Sequence, residues 1–250
     1  MNANKTILIT GASQRLGAAM TRAFHQNDFT VIIHYNQSHT EADALATELN
    51  ELCPNSAFLC QGKLSDIEKI KEQVTAITDH LDVLINNASS FYPTQIGEVS
   101  ETQWDDLFES NAKAPLFLTQ ALLPLLNKRH EKNNTPGSVI NMLDIHAQRP
   151  LKDHTVYCMA KAANQMMTQS LAKELAPRIR VNGIAPGAIL WPDQDGEIAN
   201  SYKQQTLEKI PSQRLGSIED IVETALFLGC GPSYITGEII SVDGGRRLYS

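Results

Sequence analysis

Residues 141–161 read NMLDIHAQRPLKDHTVYCMAK and bring three reactive side chains into one short stretch. Tyr157 and Lys161 are four residues apart, so on a helix they share a face. A phenol ordinarily titrates near pH ~10 and is a poor acid–base group at neutrality. A nearby ammonium favours the phenolate, so Lys161 is expected to lower the Tyr157 pKa. This pair often carries hydride-transfer chemistry. Thirteen residues before the tyrosine, where such an enzyme usually holds a serine, stands Asp144. The carboxyl group either joins the tyrosine in handling a proton or caps the segment that follows a strand. Asn111, in FESNAKAP, falls in the middle of a long amphipathic stretch. Its amide either relays protons through a water or is a satisfied core asparagine.

A second constellation lies near the N-terminus. After a short apolar run comes Thr10-Gly11-Ala12-Ser13-Gln14-Arg15-Leu16-Gly17, opening a helical pattern. Gly11 permits a tight turn and Gly17 close packing of helix on strand. The N–H groups at the helix start can then hold a pyrophosphate. The next strand ends in His34-Tyr35-Asn36-Gln37-Ser38, with no acid to take the ribose hydroxyls as an NAD enzyme would have. Arg15, inside the glycine loop, suits a 2′-phosphate, and His34, Asn36 and Ser38 can add hydrogen bonds. The cofactor expected is therefore NADPH.

These residues need a scaffold. Short Val- and Ile-rich runs at 6–10, 29–34, 56–60, 82–86, 138–143, 179–184 and 238–242 predict strands buried on both faces. Helical patterns at 15–27, 39–52, 66–79, 101–127, 155–176 and 218–229 alternate with them. Regular alternation implies right-handed crossovers and a parallel sheet. The expected fold is α/β: one Rossmann-type doubly wound domain over 1–250 with about seven parallel strands. Residues 88–100, 145–153 and 185–217 break the rhythm just after strands. Ligands of open α/β sheets bind at strand carboxyl ends, so these segments are expected to wall one pocket.

Composition excludes other classes. The chain has 250 residues and a formal net charge of −7, with no basic stripe for a nucleic-acid backbone. Cys53, Cys60, Cys158 and Cys230 are widely spaced, which indicates neither a zinc site nor a disulfide framework. Free thiols in a reducing cytoplasm are the expectation, with no metal. No apolar run reaches the ~20 residues of a membrane span, and no signal peptide is read.

Together TGASQRLG, LINNAS (84–89), SNAKAP (110–115), Tyr157-x-x-x-Lys161, RVNGIAPG (180–187) and ITGEIISVDGG (235–245) make the chain resemble the short-chain dehydrogenase/reductase family over nearly its full length. Arg15, the His34-Tyr35 ending with Ser38, NNASSFYPT (86–94) and Asp144 make it similar in particular to the pteridine reductases, a group that includes dihydromonapterin reductases. The resemblance implies cofactor contacts from Gly11, Ser13, Arg15, Leu16, Gly17, His34, Tyr35, Asn36, Ser38, Leu64, Asn87, Ala88, Ser89, Pro186 and Gly187, with Lys161 on the nicotinamide ribose beside Tyr157. Phe91 would stack on the pterin opposite the nicotinamide, and Ser89 would bond near it. Asp144 and Tyr157 would serve the reduction, and Asn111 and Lys161 would complete a proton relay. Trp191 would close over the substrate from a lid at about 187–215. Tetramers built on helices 101–127 and 155–176 are usual, and the Leu-rich 116–126 stretch offers apolar side chains for that or for the core.

A pterin also accounts for the acid. Hydride addition to C=N leaves charge on a nitrogen that needs a proton, and a carboxylic acid beside a tyrosine can help supply it. Two positions depart from the pattern: Gln37 replaces a second arginine and Lys63 an aspartate that contacts adenine. His146 and His154 are expected to be exposed loop residues. The competing readings are a general carbonyl or 3-oxoacyl reductase and a non-catalytic NADP(H) sensor.

Overall fold

The strands and helices form where periodicity places them, within one or two residues at most ends. The computed structural model describes residues 5–189 and 205–249. Its strands are β1 (Lys5–Ile9), β2 (Phe29–Tyr35), β3 (Ala57–Gln61), β4 (Val83–Asn86), β5 (Gly137–Met142), β6 (Ile179–Pro186) and β7 (Ile239–Val242). Among the described residues the long helices are α1 (Arg15–Gln26), α2 (His39–Leu52), α3 (Ile67–Ile77), α4 (Glu101–Phe108), α5 (Ala114–Asn133), α6 (Thr155–Leu175) and α7 (Ile218–Cys230). The sheet runs β3-β2-β1-β4-β5-β6-β7, and every pairing is parallel. This is the expected α/β Rossmann-type architecture.

Strand side chains sort strictly by parity, because successive residues point to opposite faces. Ile7, Ile9, Val31, Ile33, Val83 and Ile85 pack with Met20 and Phe24 of α1, Leu45 and Leu49 of α2 and Leu228 of α7. Leu8, Ile32, Leu84, Val139 and Val181 face the other way, onto Ile70 of α3, Leu118 and Leu122 of α5 and Ala172 of α6. Burying both faces is what makes the strands read as unbroken apolar runs.

The stretch expected as one helix over 101–127 is instead two helices joined by a π segment, Glu109–Lys113. Pro115 accounts for this. It has no N–H to give to the carbonyl four residues back, which is that of Asn111, and its ring would crowd that carbonyl in a regular α-helix. The Asn111 carbonyl instead accepts a 2.7 Å hydrogen bond from Asn164 Nδ2 on α6.

That bond ends a buried polar chain. Asn86 donates to Asn141 Oδ1 (2.8 Å), Asn141 to Thr168 Oγ1 (2.9 Å), and Thr168 to the Asn164 carbonyl (2.8 Å). It runs from β4 through β5 and α6 to the π segment. Removing one member strands its buried partners, at a cost of about 1–3 kcal/mol each. Asn141→Ala should therefore lose about 2–4 kcal/mol in urea unfolding, and a loss below about 0.5 kcal/mol would show that the chain is not a stabilising element.

Candidate active site

The order of strands reverses direction between β1 and β4, and the crevice of such a sheet opens at their carboxyl ends. The glycine loop lies here. Gly11 has φ +61°, and a Cβ on it would sit 3.0 Å from Ala88 Cβ. A Cβ on Gly17 would sit 2.1 Å from the Gly11 carbonyl oxygen. Contact requires glycine at 17, and at 11 the left-handed φ together with the tight approach of Ala88 favours it. The loop is clamped from β4: Asn87 Nδ2 donates to the carbonyls of Thr10 and Gly11 (2.9 and 3.1 Å), while the Asn87 and Ala88 N–H groups donate to Thr10 Oγ1.

Beside the loop is a cavity of about 410 Å³. Gly11, His34, Asn36, Leu64, Ala88 and Ser89, all expected at a cofactor, line it. Lys63 is the one lysine or arginine among the described lining residues. Arg15, in the left-handed region at φ 47°, is exposed, and so is Asn36, while Ser13, Leu16 and Ser38 are half-buried. None of the Arg15, Asn36, Ser38 and Lys63 side chains is tied to a described residue by a hydrogen bond or ion pair, so all are available to an anion. At the far end of the sheet, Gly187 follows Pro186 and is needed for contact, since a Cβ there would sit 2.7 Å from Asp243 Cβ.

Two expected cofactor ligands are otherwise engaged. His34 is 1% exposed; its Nδ1 accepts from the Gly11 N–H (3.3 Å) and its Nε2 donates to the Gly62 carbonyl (3.1 Å). Burial pushes its pKa down to about 4, so the ring is neutral and has no nitrogen left for a phosphate. The Tyr35 phenol bonds His39 Nδ1 at 2.8 Å and is buried against α2. Both side chains are engaged by the loop and the sheet.

The structure brings Asp144, Tyr157, Lys161 and Phe91 together. Tyr157 Oη donates to Asp144 Oδ2 at 2.8 Å. Asp144 Oδ1 accepts from the His146 N–H at 2.8 Å, capping the 3-10 turn Ile145–Ala147. The carboxylate thus performs both alternatives at once, a cap with one oxygen and a partner to the phenol with the other. Lys161, 3% exposed, donates to the Met142 carbonyl (2.8 Å), and its Nζ lies 5.7 Å from the Tyr157 ring centre. Burial lowers its pKa to about 8 against the favourable Asp144 charge.

The expectation that Lys161 depresses the phenol pKa is reversed. Burial first, and then the charge and hydrogen bond of Asp144, push the Tyr157 pKa well above the usual phenol value. The carboxylate touches the hydroxyl, whereas the ammonium is spent on a backbone carbonyl. Tyr157 accordingly keeps its proton.

Asn111 is buried, and among the described residues no direct hydrogen bond joins it to Lys161. Its Nδ2 donates to the Ser90 carbonyl (2.9 Å) and the Leu107 carbonyl (3.0 Å), and Oδ1 has no hydrogen-bond partner among the described residues. What it does is anchor the loop after β4, which carries Ser89 and Phe91. Phe91 is 57% exposed, stacked on His154 (4.8 Å, 18°) and edge-on to Tyr157 (4.8 Å, 75°). Thr94 and His154 also form a parallel bridge, so the loops after β4 and β5 are stitched into one wall. His146 and His154 are half-buried, not exposed as expected, because each ring is held by the turn after β5. Trp191 and most of the expected lid lie outside the described residues.

Sequence reasoning missed the hydrogen bonds of the His34 ring to Gly11 and Gly62, the Thr10 clamp and the chain Asn86–Asn141–Thr168–Asn164. The signal for the last was present: asparagines inside strands that must be buried on both faces need dedicated partners.

The family model described as Enoyl-(Acyl carrier protein) reductase matches residues 11–247. Pteridine reductase 1 of Leishmania tarentolae is 38% identical over 96% of this chain and 96% of that protein. The 3-oxoacyl-[acyl-carrier-protein] reductase FabG of Staphylococcus epidermidis is 30% identical over 98% of this chain and 100% of its own length. An uncharacterized oxidoreductase of Bacillus subtilis, YmfI, is 31% identical over 97% of the chain and 98% of that protein.

The lowered Lys161 pKa has a sign that can be checked. Unfolded lysine titrates near 10.5, so between pH 8 and 10.5 the unfolded chain binds this proton more tightly than the folded one. This group's contribution to stability must therefore rise with pH across that window, by up to about 3 kcal/mol. Lys161→Met should lack the rise when both proteins are unfolded in urea at stepped pH, and parallel profiles would contradict the shift.

Proposed function

The chain belongs to the short-chain dehydrogenase/reductase family, and we propose that it is an NADPH-dependent pteridine reductase. Its substrates are dihydropterins of the dihydrobiopterin or dihydromonapterin type, with dihydrofolate as a further candidate, and its products are tetrahydropterins. The observation that carries this reading is the 2.8 Å hydrogen bond from Tyr157 to Asp144, set beside the exposed ring of Phe91. The named relative at 38% identity supports it.

A nicotinamide dinucleotide fits the residues present: Gly11 and Gly17 let the loop pack tightly under the start of α1, and Gln14 at its N-cap makes no side-chain cap bond, which leaves first-turn N–H groups to an anion. When bound, it supplies the hydride. Arg15, Asn36 and Ser38 would take the 2′-phosphate, and Lys161 the ribose nearest the reacting ring. Phe91 offers a flat face to a planar heterocycle. Reduction of a C=N bond places an electron pair on nitrogen, which takes up one proton. Tyr157 and Asp144 hold that proton between them, and the half-buried carboxyl group reloads the pair from water.

A second reading, reduction of 3-oxoacyl esters, is favoured by the relatives at 30% identity. It leaves the charge of Asp144 unexplained, since a ketone oxygen becoming an alkoxide is served by neutral donors. Exposed Phe117, Met159 and Met166 on α5 and α6 support a homotetramer, within a cytoplasmic, single-domain enzyme.

Oxidation of NADPH should be fast with dihydrobiopterin, dihydromonapterin or dihydrofolate and absent with a 3-oxoacyl ester; the opposite ranking rejects the pterin reading. Tyr157→Phe should cut turnover by about 10²–10⁴ while cofactor binding, followed by fluorescence titration, stays within about threefold. A variant that keeps its turnover would favour a sensor.

A further inference from the structure

Resting on the reading of the glycine loop as a dinucleotide site, we propose that His34 is a positioning residue that latches this loop for the pyrophosphate. It does not act as a ligand itself. Three bonds converge on it. The imidazole Nδ1 accepts the Gly11 N–H at 3.3 Å, the His34 backbone carbonyl accepts the Ala12 N–H at 2.9 Å, and Nε2 donates to the Gly62 carbonyl at 3.1 Å. Gly62 in turn donates to the Tyr35 carbonyl at 3.0 Å, so the turn after β3 is tied to the end of β2 from both sides.

The partners fix the tautomer. A carbonyl can only accept, so Nε2 carries the hydrogen. A backbone N–H can only donate, so Nδ1 is bare. The ring therefore transmits the position of the turn after β3 to the first amide of the loop, across the end of β2. Gly11 and Ala12 are the residues that a Cβ on Gly17 would strike, at 2.1 Å from the Gly11 oxygen and 2.9 Å from Ala12 Cα. A displacement of either would also displace the first turn of α1, whose N–H groups would face the anion. Consuming the first two loop amides internally sets where the remaining ones point.

An amide side chain can reproduce the latch, because its oxygen accepts and its nitrogen donates; a hydrocarbon cannot. Binding of NADP⁺ and of ADP, which carries a pyrophosphate but no nicotinamide, is measured by calorimetry on the full chain. His34→Leu should weaken both by about tenfold or more, the equivalent of one lost hydrogen-bonded geometry. Turnover at saturating cofactor should stay within about twofold. One of His34→Asn and His34→Gln should restore binding to within about threefold of wild type, even if its melting temperature stays low. That separates positioning from plain stability.

A His34→Leu protein that folds and binds both nucleotides like wild type overturns the latch while leaving the cofactor reading intact. So does one whose turnover falls at unchanged KM. Failure of the wild type to bind either nucleotide overturns both. If His34→Leu does not fold, hydrogen exchange on the nucleotide-free wild type decides. The Gly11 and Ala12 amides should be protected, and rapid exchange at Gly11 would rule the latch out.

Discussion

A contact of backbone on backbone governs the glycine loop of this protein. Helix α1 crosses the glycine loop so closely that the Cβ position of Gly17 lies 2.1 Å from the Gly11 oxygen. No side chain can enter that space, so the loop cannot be held from above by packing. It is held from its flanks instead, by Asn87 and Ala88 just after β4 and by His34 on β2. The three clamps come from the strands on either side of β1. The crevice at the switch point is thus a consequence of strand order, and its inner surface is polar because the clamps are.

The wall that carries Phe91 depends on a second backbone constraint. Pro115 withholds an N–H from the Asn111 carbonyl, and the resulting π segment turns that residue toward α6 and toward the loop after β4 at once. Through Asn164, Thr168, Asn141 and Asn86 the same residue is connected to the centre of the sheet. Phe91 therefore projects from a loop whose base is tied to the most buried part of the molecule. An exposed aromatic on such a base is pre-oriented, which reduces what a planar ligand must order when it stacks.

Much of this was legible from residue patterns. Parity in the strands, the glycine pair opening α1 and the four-residue spacing of Tyr157 and Lys161 all carry local signals, and the structure places them as periodicity requires. What residue patterns did not show shares one physical origin. His34 and Tyr35 read as ligands because they are polar and stand at a strand end, where polar side chains usually face a ligand. Whether a ring nitrogen at such a place is free is decided by residues far away in sequence, here Gly62 on one side and Gly11 on the other. The π segment escaped because hydrophobic periodicity over 101–127 is nearly the same with one widened turn. Pro115 was the visible sign.

The phenol pKa was misjudged for a related reason: sequence spacing supplies neighbours but not their order of approach. Lys161 shares a helix face with Tyr157, yet its Nζ is directed to the Met142 carbonyl, while Asp144, thirteen residues away, is in direct contact with the hydroxyl. In a buried setting the nearer charge dominates. A hydroxyl residue at position 144 would have left the ammonium as the principal charge near the phenol, which would then be the readier to ionise. The carboxylate inverts that balance. It holds Tyr157 protonated, and it places a second oxygen within one hydrogen bond of the proton to be moved. The acid beside the tyrosine thus keeps the phenol loaded, while Lys161, lowered to about 8, remains cationic at neutrality.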